Sequence, residues 1–374
     1  MKPYSLMRIA GIRIVVDPTW FFVFLLVVAS LGGGYLPAVA PQLSAIESWG
    51  LGVIAALLLF ASVLVHELSH ALLARAAGIP VPRIRLFLFG GVSEMTAEPH
   101  EPQSEFRIAA AGPAVSLVIA GIAQGVARAL EGPEPSGVRA LVEYLAAANL
   151  LLALFNLLPG LPLDGGRILR AWLWSRHGNL LRATRTAGRS GAAIGWGLVV
   201  IGFATFLLQN YLGGLWFVIL GLFLGRAATT TTEAALLRDS LTGVRVRQLM
   251  TREVAAVPAH ASLDEMVKEI ALRRPHALYP VLNGEEYVGI IAVDQVRRVP
   301  RDEWIRTPVR QVMTPAALAP PVAPEDDCLG ALERMIREDL HFMAVVQDGR
   351  VVGALSRRDI LELYRVRSAL GPVR

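Results

Sequence analysis

Two histidines and a glutamate stand close together in an otherwise apolar stretch, in the order His66-Glu67-Leu68-Ser69-His70. Residues four apart lie on the same face of an α-helix, so His66 and His70 can bind one metal ion. Imidazole nitrogens suit zinc, and Glu67 then lies beside the open coordination position, where a carboxylate can act as general base for water. The spacing therefore predicts a hydrolytic zinc site, against the alternative of two interfacial histidines and a salt-bridging glutamate.

A catalytic zinc site that keeps one open position needs a third protein ligand. The best candidate is Asp164, which lies in the stretch 155–167, where two prolines and three glycines prevent a regular helix. Irregular backbone is tolerated at membrane depth when it is packed in protein or lines a wet cavity. Glu94, Glu105 and Glu143 are rival ligands, but none lies in a broken segment. A cytoplasmic turn capped by Asp164 is the alternative to metal binding.

The elements that position these residues are apolar. Of the 374 residues, 54% are hydrophobic and 18% charged, and the mean hydropathy is +0.49, whereas soluble proteins carry about a quarter charged residues. The apolar excess lies within 17–228, and 233–374 has an ordinary soluble composition. A spanning helix needs about 20 mostly apolar residues. Six segments are predicted to span a membrane: Pro18–Tyr35, Leu51–Ala74, Ile108–Ala127, Arg139–Leu158, Gly191–Leu208 and Leu212–Gly225.

The arginines and lysines indicate the orientation of these segments. The N-terminal tail and the loops after the second and fourth segments are rich in basic residues, whereas the loops after the first and fifth have none. By the positive-inside rule, both termini are expected in the cytoplasm of a cell-membrane protein. The second and fourth segments then end at similar depths, which would bring Asp164 near His66 and His70. With Arg75 at the boundary, the histidines lie about 8–14 Å deep.

The basic balance of the chain needs no nucleic-acid partner to explain it. The formal charge of +5 follows from the arginines of these loops, and we expect no nucleic acid to bind. Cys328 is the single cysteine, which excludes an internal disulfide and a cysteine-based zinc or iron–sulfur site. The other histidines are expected to be solvated or packing residues: His100, His177, His260, His276 and His341.

Together, two motifs resemble those of the site-2 protease family, the intramembrane zinc metalloproteases of peptidase family M50. The family pairs His-Glu-x-x-His, here at 66–70, with Asn-x-x-Pro-x-x-Pro-x-Asp-Gly on a later helix, here at 156–165. A Gly-Pro segment at 111–116 is similar to the one that packs near the site in the family. The resemblance implies a multi-pass α-helical membrane protein with about six transmembrane helices and a small β-hairpin or sheet.

The same resemblance implies roles for five residues. His66, His70 and Asp164 would bind one Zn²⁺ ion per subunit, Glu67 would activate water, and Asn156 would orient or stabilise the reacting carbonyl. The chain would be a zinc metalloendopeptidase in the lipid bilayer. It would cut within or near the transmembrane segments of membrane proteins, for example an anti-sigma-factor-like protein.

A short hairpin is expected beside this site. Residues 83–96 are predicted to form two strands around a turn at Gly90-Gly91. Similar segments form a membrane-dipping sheet in the family, and an edge strand there could hold an unwound substrate by backbone hydrogen bonds. A simple cytoplasmic hairpin is the alternative.

The C-terminal part contains an internal repeat. Val246–Thr251 recurs 63 residues later as Val309–Thr314. Each copy continues into a helix and then a strand–turn–strand, at Leu278–Ile291 with the turn Asn283-Gly284 and at Phe342–Leu355 with the turn Asp348-Gly349. The halves resemble a pair of CBS domains, which pack as one α/β module. We expect these domain bounds: a metalloprotease domain at 1–230, a linker at 231–245, CBS domain 1 at 246–303 and CBS domain 2 at 304–374.

The CBS resemblance implies an adenine nucleotide, ATP or AMP, as a second cofactor. In the second copy Ser356 and Asp359 would hold phosphate and ribose, whereas the first copy has Ala292 and Gln295 at these places, so we expect at most one good site. A purely structural or dimerising module, forming a homodimer through the CBS domains, is the alternative.

A channel or transporter with a CBS regulatory tail is the second functional hypothesis. It treats the metal motif as structural or as an ion site, and it expects activity to survive Glu67→Gln. Transporters often carry repeats among their membrane helices, and none is evident here, which favours the protease.

Overall fold

The computed structural model describes residues 4–87, 90–132, 136–209, 213–252, 254–273 and 278–370, and the chain divides into two compact units, 1–233 and 234–374. A shorter helix, α5 (Asp164–His177), follows the fourth long one. The predicted count of six spans is confirmed, since six described helices are long and apolar enough to cross a membrane: α1 Pro18–Val39, α2 Ala45–Ala76, α3 Pro102–Ala129, α4 Gly137–Asn156, α6 Leu180–Gln209 and α7 Gly213–Leu241.

Several of these helices extend beyond their predicted ends. Helix α2 begins six residues early because Ser44 and Glu47 cap it: the Ser44 N–H donates to Glu47 Oε2 (2.8 Å) and the Glu47 N–H to Ser44 Oγ (3.3 Å). Helix α3 begins at Pro102 rather than Ile108. The first turns of both helices contain a charged residue, Glu47 in α2 and Glu105 in α3. The predicted spans began later because they were limited to apolar residues. The short connection predicted between the last two spans includes residues 210–212, which lie outside the described residues.

A four-stranded sheet packs against α2, which carries both histidines, and against α3. Its strand order is β1 (Tyr4–Ile9), β2 (Ile12–Val16), β3 (Arg83–Phe87) and β4 (Gly90–Glu94). Strands β2 and β3 are parallel, and the other neighbouring pairs are antiparallel. The buried faces of β2 and β3 share a core with α2 and α3, formed by residues such as Ile12, Ile14, Ala71, Ile84 and Ile108.

The predicted hairpin exists, but its turn was misplaced. Phe87 pairs with Gly90, so both Gly90 and Gly91 belong to β4, and the connecting residues 88–89 lie outside the described part of the chain. Strands β1 and β2 were not predicted. They are joined at Ala10 and Gly11, both with positive φ (49° and 78°), a turn that matches the twist of two antiparallel strands.

The second unit is built from two similar halves. The first contributes β5 (Val257–Pro258), β6 (Leu278–Asn283) and β7 (Glu286–Ala292) to a sheet, and the second adds β8 (Thr314–Pro315) beside β7. The second contains a hairpin of β9 and β10 and two helices, α8 and α9. The bounds of these elements are β9 Phe342–Gln347, β10 Arg350–Ser356, α8 Cys328–Arg337 and α9 Arg357–Leu370. The unit also contains shorter helical segments at Val246–Leu249, Leu263–Glu265, Met266–Ala271, Val293–Val296, Arg301–Glu303 and Val309–Gln311.

The two hairpins of this unit differ in their turns. Gln347 pairs with Arg350, so the turn consists of Asp348 and Gly349 as predicted, both with positive φ. In the other hairpin Asn283 pairs with Glu286. Its turn is therefore one residue later than the predicted Asn283-Gly284.

Candidate functional site

Three donor atoms from two helices converge inside the first unit. His66 Nε2 and His70 Nε2 of α2 are 3.3 Å apart, and each lies 3.2 Å from Asp164 Oδ2, at the start of α5. All three residues are buried. A tetrahedron with metal–ligand bonds of about 2.0 Å has edges of about 3.3 Å, so the three distances match the Zn–N and Zn–O bond lengths found in proteins. The structure thus brings together the three residues that the sequence analysis selected, in an arrangement that could bind a metal ion.

Helix α3 fixes the two imidazole rings. His70 Nδ1 lies 2.6 Å from the Ile108 carbonyl oxygen, and His66 Nδ1 lies 2.9 Å from Ser116 Oγ. A carbonyl only accepts, so His70 Nδ1 must carry the proton, which leaves the Nε2 lone pair for a metal ion. Neither contact was predicted from the sequence. Ser116 could have been found, since it lies in the Gly-Pro segment, four residues after Gly112 on the same helical face.

Gly112 provides the space beside the donor atoms. A Cβ atom at this position would lie 2.2 Å from His70 Nε2 and 2.5 Å from His66 Nε2. Any side chain at position 112 would therefore occupy the volume next to the two nitrogens. The glycine leaves a small recess that fits an ion, and the donor set of two neutral imidazoles and one carboxylate suits zinc.

A broken segment after α4 carries Asp164 to this point. The Leu161 N–H donates to the Ala187 carbonyl of α6 (3.0 Å), and Ser190 Oγ donates to the Pro159 carbonyl. A Cβ atom at Gly191 would lie only 1.9 Å from the Leu161 oxygen, so the segment packs directly on the α6 backbone. Its backbone groups thus find partners on α6, as irregular backbone at membrane depth requires.

Strand β4 lies directly over Glu67. Ser93 Oγ donates to Glu67 Oε2 (2.9 Å) and lies 3.0 Å from the Glu67 carbonyl oxygen. A Cβ atom at Gly91 would lie 2.4 Å from Glu67 Cγ. The outer strand of the sheet is therefore in contact with the residue next to the three donors. Ser93 was not singled out from the sequence, because its contact depends on the pairing of β3 with β4.

The other candidates near the site are engaged elsewhere. Asn156 ends α4, and its side-chain amide donates to the Leu152 carbonyl (3.0 Å), so its contact with a reacting carbonyl stays a prediction. Each rival carboxylate is paired with an arginine. Glu94 contacts Arg83 (2.5 Å), Glu143 contacts Arg139 (2.8 Å), and Glu105 contacts Arg170 (2.7 Å).

A second candidate site lies in the C-terminal unit. A cavity of about 460 Å³ is bordered by both of the residues predicted to bind nucleotide, Ser356 and Asp359, and by three basic residues. The Ser356 N–H and Oγ both donate to Asp359 Oδ2 (2.9 and 2.7 Å) at the start of α9. The expectation that His341 is only solvated or packing is incomplete, because it lines this cavity. The full lining is Thr251, Val254, Leu278, His341, Phe342, Ala354, Ser356, Arg357, Arg358 and Asp359.

Gln295 is the residue of the first half that corresponds to Asp359. Gln295 Oε1 accepts a hydrogen bond from the Ala292 N–H (2.7 Å), and Gln295 Nε2 donates to Thr314 Oγ1 (3.0 Å). Gln295 thus takes the capping position of Asp359, but it is also bonded across to the next strand.

Comparison with known proteins assigns both units. The family model for peptidase family M50 matches residues 54–132 and 132–202, and the CBS domain model matches 246–302 and 309–366. A Mycobacterium tuberculosis protein named zinc metalloprotease Rip3 is 36% identical over 334 residues, which cover 88% of this chain and 85% of that protein. A Synechocystis protein named zinc metalloprotease sll0528 is 33% identical over 362 residues, covering 96% of this chain and 94% of the other.

A solved structure is also similar to part of this chain. The site-2 protease from Methanocaldococcus jannaschii is 29% identical, with a TM-score of 0.43, and the match covers 62% of this chain and 95% of that one. The identities and coverage of the two relatives establish the family. The chain therefore belongs to peptidase family M50, the site-2 protease family of zinc metalloproteases, and carries a pair of CBS domains at its C-terminal end.

Proposed function

We propose that this chain is an intramembrane zinc metalloendopeptidase of the cell membrane that hydrolyses peptide bonds within or near the transmembrane segments of other membrane proteins. The observation that carries the proposal is the convergence of His66 Nε2, His70 Nε2 and Asp164 Oδ2, with Glu67 next to them on the same helix. Three protein ligands leave a fourth position open, which is the pattern of catalytic rather than structural zinc sites. The arginine-rich loops support cytoplasmic termini and CBS domains.

The residues around the site divide the chemistry among them. A bound zinc ion supplies a Lewis acid that lowers the pKa of water and polarises the substrate carbonyl. Glu67 removes a proton from the attacking water as the water oxygen bonds to the substrate carbonyl carbon. It then gives this proton to the amine nitrogen of the leaving group as the C–N bond breaks. Asn156 orients the carbonyl or stabilises its developing negative charge, once its amide turns from the Leu152 carbonyl toward the substrate.

Substrate would reach this site as an extended strand. A helical segment hides its peptide carbonyls in its own hydrogen bonds, so it must unwind before a peptide bond can be attacked. Strand β4 forms an edge of the described sheet and contacts Glu67 through Ser93. An unwound segment that pairs with this edge would lie beside the three donors.

Purified chain is expected to cleave members of a panel of single-span membrane proteins, including one of the anti-sigma-factor type. Cleavage should stop on addition of a zinc chelator and return when Zn²⁺ is restored, because the Lewis acid is lost and regained. Gel analysis of the fragments, with their termini determined by mass spectrometry, gives the cleavage site. Cleavage that persists in zinc-free protein, or no cleavage by protein containing one zinc per chain, would contradict the proposal.

We propose further that one adenine nucleotide binds in the C-terminal cavity and regulates proteolysis. Ser356 and Asp359 line the cavity where phosphate and ribose would lie, and Arg357 and Arg358 add positive charge for an anionic ligand. In the first half, Gln295 stands in place of the carboxylate and is bonded to Thr314, which disfavours a second site. One nucleotide per chain is therefore expected, in a module that also supports homodimer formation.

Asp359→Ala is expected to weaken binding of ATP or AMP about tenfold or more, because a hydrogen bond to a charged group is lost. Gln295→Ala is the matched control, since Gln295 occupies the same capping position in the first half, and it should leave the affinity within about twofold. Calorimetric titration of the full chain gives both affinity and stoichiometry. A stoichiometry of two, or equal losses in both variants, would overturn the single-site assignment.

A further inference from the structure

A buried ion cluster joins α3 to α5. Glu105 is completely buried and Arg170 is 6% exposed. Arg170 Nε donates to Glu105 Oε1 (2.7 Å), Arg170 Nη2 donates to the same oxygen, and Arg167 Nε lies 3.9 Å from it. Glu98 Oε2 lies 3.6 Å from Arg170 Nη1 at the outer side of the cluster. Replacing such buried pairs by apolar side chains often leaves stability unchanged or improves it. The pair therefore calls for an explanation other than stability.

Both helices of the cluster carry parts of the metal centre. On α3, Glu105 is one turn before Ile108, whose carbonyl accepts a hydrogen bond from His70 Nδ1. On α5, Arg170 is six residues after Asp164, the first residue of the helix. The ion pair thus spans the two elements whose relative position decides the separation of Asp164 from the histidines.

Asp164 depends on its helix for its position. The two imidazole Nε2 atoms each lie 3.2 Å from Asp164 Oδ2. Among the described residues, no hydrogen-bond donor holds this oxygen in place. The segment before it is irregular, and its anchors are on α6 rather than on the histidine-bearing helix. A shift of α5 along its axis would move the Asp164 carboxylate directly. The planar guanidinium of Arg170 donates two hydrogen bonds to the buried Glu105 Oε1, and these bonds resist such a shift.

We infer that Glu105 and Arg170 are positioning residues for the metal centre. Their ion pair holds α5 against α3 so that Asp164 Oδ2 stays within coordinating distance of His66 Nε2 and His70 Nε2. This inference rests on the proposed zinc site and adds to it the means by which the third ligand, which comes from a separate helix, is kept in place.

Arg170→Met tests the inference in the full-length chain. Glu105 keeps Arg167 as a nearby cation in this variant, and the double variant Glu105→Gln with Arg170→Met removes both charges in case the single change impairs folding. We expect the zinc dissociation constant, measured by competition with a chromophoric chelator, to rise about tenfold or more in both, as when outer contacts of metal ligands are removed. The circular dichroism spectrum and unfolding temperature of the zinc-free double variant should remain close to those of the parent, whereas Arg170→Met should unfold at a lower temperature because the buried Glu105 loses its main partner.

Arg139→Met is the matched control. It breaks another arginine–glutamate pair of the membrane unit, with Glu143 on α4, and should leave zinc affinity unchanged. A folded Arg170→Met or double variant that binds zinc like the parent would overturn the positioning role, as would an equal loss in the control. A parent chain that binds no zinc would instead overturn the proposed function, so the two failures are distinguishable.

Discussion

Glu67→Gln is expected to abolish peptide-bond hydrolysis while one zinc ion per chain remains bound. Glutamine keeps the shape of the side chain and an oxygen that can accept the Ser93 hydrogen bond, but it cannot take a proton from water. General-base catalysis contributes about 10²–10⁴-fold to rate, and we expect a loss in this range or larger. The measurement is the initial cleavage rate of a single-span substrate, with zinc content determined on the same sample.

Glu143→Gln provides the comparison for this experiment. Glu143 is also a glutamate of a membrane helix, but it is paired with Arg139 and is not part of the donor group. Its replacement should leave the cleavage rate near that of the parent. Undiminished cleavage by Glu67→Gln would show that Glu67 is not the general base. A parent chain that cleaves no substrate but conducts or transports ions, with that transport surviving Glu67→Gln, would favour the channel or transporter hypothesis. Loss of zinc from Glu67→Gln would show that the glutamate is needed for the metal centre itself.

The parts of the site that local sequence determines were predictable. His66 and His70 lie on one face because helical periodicity places residues four apart together. Asp164 could be selected because the prolines around it exclude a regular helix at a place where an apolar segment ends. The order of the apolar and basic segments further indicated that the second and fourth predicted spans end at similar depths. These inferences use only helical periodicity, the effect of proline on a helix and the order of apolar and basic segments along the sequence.

The contacts that hold the ligands were not predictable in this way. The parallel pairing of β2 with β3 joins residues about 70 positions apart, such as Ile14 and Ile84, and no local pattern indicates it. The contact of Ser93 with Glu67 depends on that sheet. Glu105 illustrates the same limit: its charge suggested a rival ligand or a helix boundary, and only the position of Arg170 on another helix shows that it lies inside α3 as half of a buried pair.

Gly112→Ala is expected to remove zinc binding and activity together. The added Cβ atom would lie 2.2 Å from His70 Nε2 and 2.5 Å from His66 Nε2. The rings have little freedom to withdraw, since their Nδ1 atoms are bonded to Ile108 and Ser116 of the same helix. Disturbing outer contacts alone typically costs 10–100-fold in metal affinity, and we expect a direct steric conflict to cost at least about 100-fold.

Gly121→Ala separates this steric effect from the general effect of alanine in a helix. Gly121 also lies within α3, and among the described residues nothing stands within 4 Å of its ideal Cβ position. Alanine favours helix over glycine by about 1 kcal/mol, so Gly121→Ala should unfold at or slightly above the parent's temperature in zinc-free form. In Gly112→Ala the contact with the two imidazoles opposes this gain, and the zinc-free variant should unfold at a lower temperature. Chelator competition should then show parental zinc affinity for Gly121→Ala and a large loss for Gly112→Ala. Parental affinity in Gly112→Ala would mean that the metal ion does not bind beside this glycine, and the zinc centre assigned to His66, His70 and Asp164 would have to be abandoned.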